Sequence, residues 1–250
     1  MIAAASLACG APATAEARPC EAALREGTVV SSRDVGQGVS GAIRMVLRLR
    51  DAQVEAVFKS ADTEVPGYSF HGEKAPMFRD TWKHEVAAYE LDQLLGLRLV
   101  PTTVERKVSG KRGSLQAWAD RPLTRFGRGP APLDPAVAET YLHAQRFFDY
   151  LIFNTDRHTR NVVLGGDWRP VAIDHSIAFH PLKRPYRPLY RFPRGPVEAL
   201  ERLDPRVLKQ RLGRYLDKDE IDGLLERRRR LLALVRAARA EGRKDAVFEW

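Results

Sequence analysis

The chain changes from strand patterns to helix patterns about halfway along, and this change limits the folds that it can adopt. The first half contains short runs with β-branched residues and alternating polarity, together with one long helical pattern. These segments are, in order, "GTVVSS", "GAIRMVLRLR", "AQVEAVFKS", the helical "RDTWKHEVAAYELDQLLGL", "LRLVPTTVERKV" and "GSLQAWA". The helix is expected to end at Gly96, and "SGKRG" with Gly110 and Gly113 predicts a hairpin turn between the last two strands.

The second half is mainly helical. Its first helical pattern has Asp134 as N-cap and Pro135 in the first turn, and a short hairpin, "VVLGGDWRPVAID", follows further along. The segment "ADRPLTRFGRGPAPLDP" between the halves is rich in Pro, Gly and Arg and is predicted to be a linker. This order predicts an α+β fold with a β-rich N-lobe over residues 27–120, a mainly helical C-lobe over residues 121–250, and a cleft near the linker.

The composition indicates a soluble protein with a preference for anionic partners. The 250 residues are 44% hydrophobic and carry a formal net charge of +9. Nucleotides, phosphorylated substrates, nucleic acid and acidic membrane surfaces are all attracted by such a charge. An Arg-rich and Ala-rich composition accounts for the charge equally well, so the charge alone selects no function.

The first 26 residues differ in composition from the rest of the chain. "MIAAASLACGAPATAEARPC" is Ala-rich and has small residues at Ala13 and Ala15, as a signal-peptidase site requires, but it lacks a basic segment before its short apolar core. It is interpreted either as a truncated export signal or as a disordered leader. On both interpretations, residues 1–26 are expected to lie outside the fold.

A glycine-rich motif lies between the first two strand patterns. "GQGVSG" places Gly36, Gly38 and Gly41 at G-x-G-x-x-G spacing. No helix follows, so this is not the dinucleotide-binding fingerprint, which requires a strand, a loop and a helix in succession. A glycine-rich β-hairpin can fold over nucleotide phosphates, because backbone N–H groups approach closely where no Cβ intervenes. The alternative is an ordinary flexible hairpin.

Two residues of the first half form a candidate ion pair. Lys59 directly follows the alternating residues of "AVFKS", from where a lysine can reach the α- and β-phosphates of a nucleotide. Glu85 lies on the only long helical pattern of this half, and a carboxylate there can hold the lysine extended. Glu90 and Asp92 are rivals on the same helix, but the apolar residues beside Glu85 favour an inward position for it. A solvated strand end and a solvated helix face are the alternatives.

The most specific signal is "NTDRHTRN" and the "IDHS" that follows it. Asp156 and Asn161 have the D-x-x-x-x-N spacing of phosphotransfer loops, in which the aspartate orients the proton of the nucleophile and the asparagine oxygen binds magnesium. Asp174 would be the second metal ligand, since Mg²⁺ prefers a few hard oxygen donors. Arg157 and His158 either add positive charge beside the transferred group or brace the loop. The alternative is an ordinary polar connection between a helix and a strand.

These segments carry a family resemblance. "FDYLIFNTDRHTRNVVL" and "PVAIDHSIAF" resemble the catalytic and metal-binding segments of the atypical kinase superfamily, which includes phosphatidylinositol 3- and 4-kinases, bacterial persistence-toxin kinases and secretory-pathway kinases. "NTDR" with "AID…AF" is most similar in wording to type II phosphatidylinositol 4-kinases, and "DRH" is shared with the secretory-pathway group. "EVAAYELDQLLGLRLVPTTVERKVSGKRGSLQAWAD" resembles bacterial members, so the chain is expected to be a bacterial-type member.

The resemblance implies a bilobal protein-kinase-like fold with ATP in the cleft. Lys59 would contact the phosphates, Glu85 would hold Lys59, and Asp156 would be the catalytic base. Asn161 and Asp174 would hold Mg²⁺, or Mn²⁺ in its place. The hinge that receives the adenine would consist of Leu115, Gln116, Ala117 and Trp118.

The implied activity is transfer of the ATP γ-phosphate to a hydroxyl group of a protein, a sugar or a lipid. The alternative is a catalytically inactive module that binds nucleotides or interacts through its basic surface. The region after Asp174 has no activation loop with an A-P-E-type ending, and the membrane-binding insertions of lipid kinases are not recognisable. A cytoplasmic location is favoured because ATP is supplied there, with export as the alternative.

Two further partners are weighed from the residues themselves. The C-terminal "LERRRRLLALVRAARAEGRK" is interpreted as a terminal helix packed on the C-lobe with solvated arginines, in preference to a basic amphipathic helix on an acidic membrane. Specific nucleic-acid binding is not expected, because the sequence lacks interleaved aromatic residues and a helix-turn-helix pattern.

Overall fold

The computed structural model describes residues 5–6, 17–35, 41–67, 69–70, 73–74, 77–119, 121–122, 134–165 and 169–250. Their strands in the first half are β1 Ala5–Ser6, β2 Thr28–Asp34, β3 Ile43–Leu49, β4 Ala52–Lys59, β5 Asp62–Pro66, β6 Ser69–Phe70, β7 Glu73–Lys74, β8 Met77–Thr81, β9 Thr103–Val108 and β10 Lys111–Ala117. The remaining strands are β11 Arg121–Pro122, β12 Val162–Leu164, β13 Pro170–Ala172, β14 Phe192–Pro193 and β15 Val247–Phe248. The α-helices are α1 Ala17–Glu26, α2 Trp82–Leu95, α3 Pro135–Ile152, α4 Arg194–Arg202, α5 Pro205–Leu212 and α6 Lys218–Ala240.

The N-lobe is built on a sheet with the strand order β2-β3-β4-β10-β9 and antiparallel pairing along this order, and β1 pairs in parallel with β4. Side chains alternate across a strand, so Val54, Ala56 and Phe58 of β4 point to one face, where they are buried in an apolar core. Lys59 points to the opposite face. The strands predicted in the first half, including the alternating run before Lys59, are therefore confirmed.

The β9–β10 hairpin turns at Ser109 and Gly110, which both have positive φ values, of 48° and 84°. The prediction that Gly113 belongs to this turn is wrong, because Gly113 lies inside β10. A Cβ at Gly113 would be 2.2 Å from the carbonyl oxygen of Lys59. Glycine at this position thus allows β10 to approach β4 closely beside Lys59.

The helix α1 corrects the expectation that residues 1–26 lie outside the fold. Its residues Cys20, Ala23 and Leu24 are buried in the same core as β4. Arg106 of β9 donates to the carbonyl oxygen of Leu24 at 2.7 Å, near the C-terminal end of the helix where carbonyl groups lack partners within the helix. Three buried side chains in a short Ala-rich segment form a weak sequence pattern, and their burial depends on the sheet that they cover.

The helix α2 begins after Thr81, whose hydroxyl accepts from the backbone N–H of Lys83, and it ends at Gly96 with φ 65°, as predicted. Its buried apolar side chains share one hydrophobic core with helices of the C-lobe. These side chains are Ala87, Ala88, Tyr89, Leu91 and Leu95. Because α2 also contacts β9 and β10, it lies between the sheet of the N-lobe and the helices of the C-lobe.

The C-lobe contains the predicted helices and the predicted β12–β13 hairpin. Asp134 caps α3 by accepting from the backbone N–H of Ala136 at 2.7 Å, with Pro135 in the first turn, as expected. The apolar side of α6 is buried in the C-lobe, which confirms the packed interpretation of this helix. Arg227 of α6 is an exception to the expected solvated arginines, because it is fully buried and donates to the backbone carbonyls of Leu151 and His180.

Three parts of the sequence analysis stay predictions. Gly36, Gly38 and residues 123–133 of the predicted linker lie outside the described residues. The division between the lobes at residue 120 stays a prediction. Within the described part of the chain, no helix is long and apolar enough to cross a membrane.

Candidate active site

Lys59 lies at the end of β4 and reaches two acidic side chains from different parts of the chain. Its Nζ atom is 2.5 Å from Oε1 of Glu85 on α2 and 3.0 Å from Oδ1 of Asp174, which follows β13. Glu85 is almost completely buried, whereas 44% of the Asp174 side chain is exposed. We call these three residues the cleft cluster.

The electrostatics of the cleft cluster favour the charged forms of Lys59 and Glu85. Burial alone would lower the pKa of Lys59, but the two carboxylates more than offset this effect and raise it. Burial alone would raise the pKa of Glu85, but Lys59 and His175 lower it well below its usual range. The second carboxylate oxygen of Glu85, Oε2, has no hydrogen-bond partner among the described residues, although His175 Nδ1 lies 3.5 Å away.

The two rival acids on α2 are placed elsewhere. Glu90 forms an ion pair with Arg211 of α5. Asp92 is fully buried and accepts from the backbone N–H of Leu99 at 2.9 Å. Burial raises the pKa of Asp92 to about 7, against the lowering effect of backbone hydrogen bonds from the loop after α2. Of the three candidates, Glu85 is therefore the residue that contacts Lys59.

Asp156 lies in the loop after α3. The helix is capped by Phe153, with φ 54°, and Asn154 Oδ1 then accepts from the backbone N–H of Asp156 at 3.2 Å. This contact fixes the backbone of the loop, while 53% of the Asp156 side chain stays exposed. His158 Nε2 is 3.9 Å from Asp156 Oδ2, which is too far for a hydrogen bond.

Asn161 and Asp174 are brought together by the β12–β13 hairpin. The backbone N–H of Ile173 donates to the carbonyl oxygen of Asn161 at 3.0 Å, so the residue before Asp174 is bonded directly to Asn161. The side-chain nitrogen of Asn161 donates to the carbonyl oxygen of Asp156 at 3.2 Å, which leaves its Oδ1 atom for a cation. Asp174 has φ 62°, in the left-handed region that a non-glycine residue rarely adopts.

Arg157 braces this arrangement instead of lining the cleft. Its guanidinium donates to both carboxylate oxygens of Asp149 on α3, at 3.1 Å each, and to the backbone carbonyls of Asn161 at 2.9 Å and Ile173 at 2.6 Å. Both side chains of this ion pair are at least nine-tenths buried. We call Arg157 and Asp149 the brace. The sequence analysis did not identify Asp149, because it lies within the apolar run "RFFDYLIF".

The four predicted hinge residues do not share one environment. Leu115 and Ala117 are buried in the core beneath α1, so their side chains point away from the face of the sheet that carries Lys59. Gln116 pairs with Val57 in the sheet and is buried, with its side-chain nitrogen donating to Thr103 Oγ1 at 2.9 Å. The guanidinium of Arg44 lies over the Trp118 ring, with its Cζ atom 4.3 Å from the ring centroid. Of the glycine-rich motif, the structure describes Gly41, with φ 58°.

Known proteins were compared by sequence and by structure. No family model matches the sequence, and no curated protein matches it either. The structure of hydra Fam20 with sugar is similar with a TM-score of 0.58 and 16% identity over 95% of this chain and 93% of that chain. The Golgi casein kinase is similar with a TM-score of 0.55 and 15% identity over 96% of this chain and 79% of that chain.

These similarities bear on the fold. One of the two is described as a Golgi kinase, and secretory-pathway kinases are one of the groups named in the sequence resemblance. The closer resemblance to phosphatidylinositol kinases and the bacterial-type assignment stay predictions. The chain has the α+β, bilobal, protein-kinase-like fold that was expected.

Proposed function

We propose that the protein is an ATP-dependent phosphotransferase that uses Mg²⁺ or Mn²⁺ and transfers the γ-phosphate to a hydroxyl group. The observation that carries this proposal is the cleft cluster, in which Lys59 is held between Glu85 and the half-exposed Asp174. A lysine fixed in this way presents a cation to the phosphates of a nucleotide. The three members of the cleft cluster come from β4, α2 and the segment after β13, so their contact depends on the whole fold.

The residues around Asp174 fit a divalent cation. The cleft cluster has two carboxylates and one lysine, which leaves an excess of negative charge for a cation to balance. Asp174 and Oδ1 of Asn161 are hard oxygen donors of the kind that Mg²⁺ and Mn²⁺ prefer. When bound, the metal would neutralise phosphate charge as it develops during transfer.

Asp156 is the proposed catalytic base. Its backbone carbonyl accepts a hydrogen bond from the Asn161 side chain, and its carboxylate is exposed. From there it would accept a hydrogen bond from the hydroxyl acceptor and orient it towards the γ-phosphate. Gln116 and Val57, on the Lys59 face of the sheet, are better placed to line an adenine pocket than Leu115 and Ala117.

The identity of the acceptor is a matter for experiment. The two similar structures are described as a Fam20 with sugar and as a casein kinase, so sugar and protein hydroxyls are the first classes to test. Lipid hydroxyls form the third class. The apolar side of α6 is buried in the C-lobe, so this side of the helix is not exposed to contact a membrane.

The test is transfer of labelled phosphate from ATP with Mg²⁺ or Mn²⁺ to a panel of peptides, glycans and lipids, with hydrolysis measured alongside. Asp156→Asn is expected to lower the rate about 10²- to 10⁴-fold while leaving ADP affinity within about threefold. The matched control is Asp51→Asn, on the exposed turn between β3 and β4, which should leave the rate unchanged. If the wild type binds ATP but transfers no phosphate to any acceptor or to water, it is an inactive nucleotide-binding module instead.

A further inference from the structure

The first turn of α2 is attached to the C-lobe by a polar contact that the cleft cluster does not include. His84 precedes Glu85 in sequence and is buried. Its Nδ1 atom is 2.8 Å from the backbone carbonyl oxygen of Ser176, and its Nε2 atom is 3.0 Å from Oε1 of Glu220 on α6. One side chain thus joins α2, the segment after Asp174 and α6.

The two ring nitrogens of His84 each have a partner on a different element. A backbone carbonyl oxygen can only accept a hydrogen bond, so Nδ1 donates to Ser176. Nε2 lies within hydrogen-bond distance of Oε1 of Glu220. Burial alone would raise the pKa of Glu220, but its hydrogen bonds, foremost those with His84 and Arg79, lower it to about 2.

The groups around His84 fix its position. Glu220 is held in a capping box with Asp217 and accepts from Arg79 Nη1 at 2.8 Å, so its position is fixed from two sides. The ring of Phe179, with its centroid 5.6 Å away, covers another side of the imidazole.

We propose that His84 is a positioning residue for phosphate transfer, which through its hydrogen bonds to Ser176 and Glu220 holds Glu85 and Asp174 in the relative positions that Lys59 and the metal require. We call His84 with these two contacts the clamp. Glu85 is the next residue on α2, and Ser176 lies two residues after Asp174. The backbone N–H of Thr81 also donates to the Ser176 carbonyl at 3.0 Å, so the segment after Asp174 is bonded twice to the start of α2. This inference rests on the proposed function, because the positions concerned are those of its phosphate and metal site.

An ion pair elsewhere between α2 and the C-lobe supplies a matched control. Glu90 pairs with Arg211 of α5, but half of the Arg211 side chain is exposed. Such a pair contributes little, because water screens it. Glu90→Gln therefore removes a link of α2 to the C-lobe without touching the first turn.

The clamp is tested by nucleotide affinity and by the hydrogen bond at Nδ1 of His84. Affinity for ADP with Mn²⁺ is measured well below the unfolding temperature for the wild type, His84→Gln, Glu220→Gln and Glu90→Gln, together with kcat and KM for ATP. His84→Gln and Glu220→Gln are expected to lose about tenfold or more in Mn-dependent ADP affinity and in kcat, the effect typical of residues that orient metal ligands. Glu90→Gln should change neither by more than about twofold. If His84→Gln does not fold, the ADP affinity and kcat of Glu220→Gln test the clamp.

Nitrogen-15 NMR of the six histidines gives a reading that does not depend on activity. The wild type should show one histidine with a protonated, hydrogen-bonded Nδ1 that is missing from His84→Gln. A His84 without a proton on Nδ1, or a variant with lowered thermal stability but unchanged affinity and rate, would overturn the clamp. A wild type that binds ADP with Mn²⁺ but transfers no phosphate refutes the proposed function, and the clamp is then judged on affinity and NMR. A wild type that binds no nucleotide refutes both.

Discussion

The cleft cluster and the brace are two groups of charges that meet at the neighbouring residues Ile173 and Asp174. They differ in how completely their polar atoms are paired. In the brace, Arg157 donates to both oxygens of one carboxylate and to two backbone carbonyls, and the two charges balance. In the cleft cluster one lysine faces two carboxylates, Glu85 Oε2 lacks a hydrogen bond within the described residues, and Asp174 is open to solvent. A group that is complete without a ligand serves the fold, whereas an incomplete one marks a binding site.

The largest effect is expected from Asp174→Asn, which tests the cleft cluster. The substitution removes a proposed metal ligand, so Mn-dependent ADP affinity and phosphate transfer should fall about 10³-fold. It also removes one of two like charges that share Lys59, so the free energy of unfolding should change by less than about 1 kcal/mol. Calorimetric titration with ADP and Mn²⁺, together with urea denaturation, measures both quantities. A large loss of stability with unchanged affinity would mean that the cluster is structural.

The matching change in the brace is Asp149→Asn, for which the expected effects are reversed. Arg157 would be left as a buried charge without its counter-ion, so the free energy of unfolding should fall by about 3 kcal/mol. Urea denaturation of Asp149→Asn and of the double variant Asp149→Asn with Arg157→Met measures this cost. The double variant should recover part of the loss, because it no longer buries an unpaired cation. Equal stability losses from Asp149→Asn and Asp174→Asn would remove the distinction between the two clusters.

The sequence predicted the cleft cluster far better than the brace, for physical reasons. The alternating strand before Lys59 is a local sequence pattern, and so is the spacing from Asp156 to Asn161 beside the cleft cluster. Such patterns can be identified before the tertiary structure is known. Asp149 is a single polar residue in an apolar helix, and nothing near it in sequence indicates that Arg157 will return to it. His84 was equally hidden, because Glu220 is 136 residues away along the chain. The burial of α1 depends on the sheet, so its few apolar residues did not reveal it.

Asp92 extends the comparison to a buried carboxylate that has backbone donors but, among the described residues, no cation as partner. Its pKa is raised to about 7, so the folded state keeps a proton that the unfolded chain releases near pH 4. Stability should therefore fall as pH rises between these values and level off above about pH 7. Relative to Asp92→Asn, the wild type should lose about 2 kcal/mol between about pH 4.5 and 6.5. Urea denaturation at several pH values measures the difference, and parallel curves for the two proteins would contradict the raised pKa.

The smallest effect is expected at His158, which belongs to neither cluster although it lies in the same loop. Its ring is partly exposed, and its Nε2 atom is beyond hydrogen-bond distance from Asp156. Among the residues that the structure describes, the His158 side chain neither balances a buried charge nor holds a backbone group. His158→Gln should therefore change kcat by less than about threefold and stability by less than about 0.5 kcal/mol. Transfer kinetics and urea denaturation of the single variant measure both. A tenfold loss in kcat with unchanged stability would instead place His158 in contact with the nucleotide or the acceptor, and the cleft cluster would then have to include it.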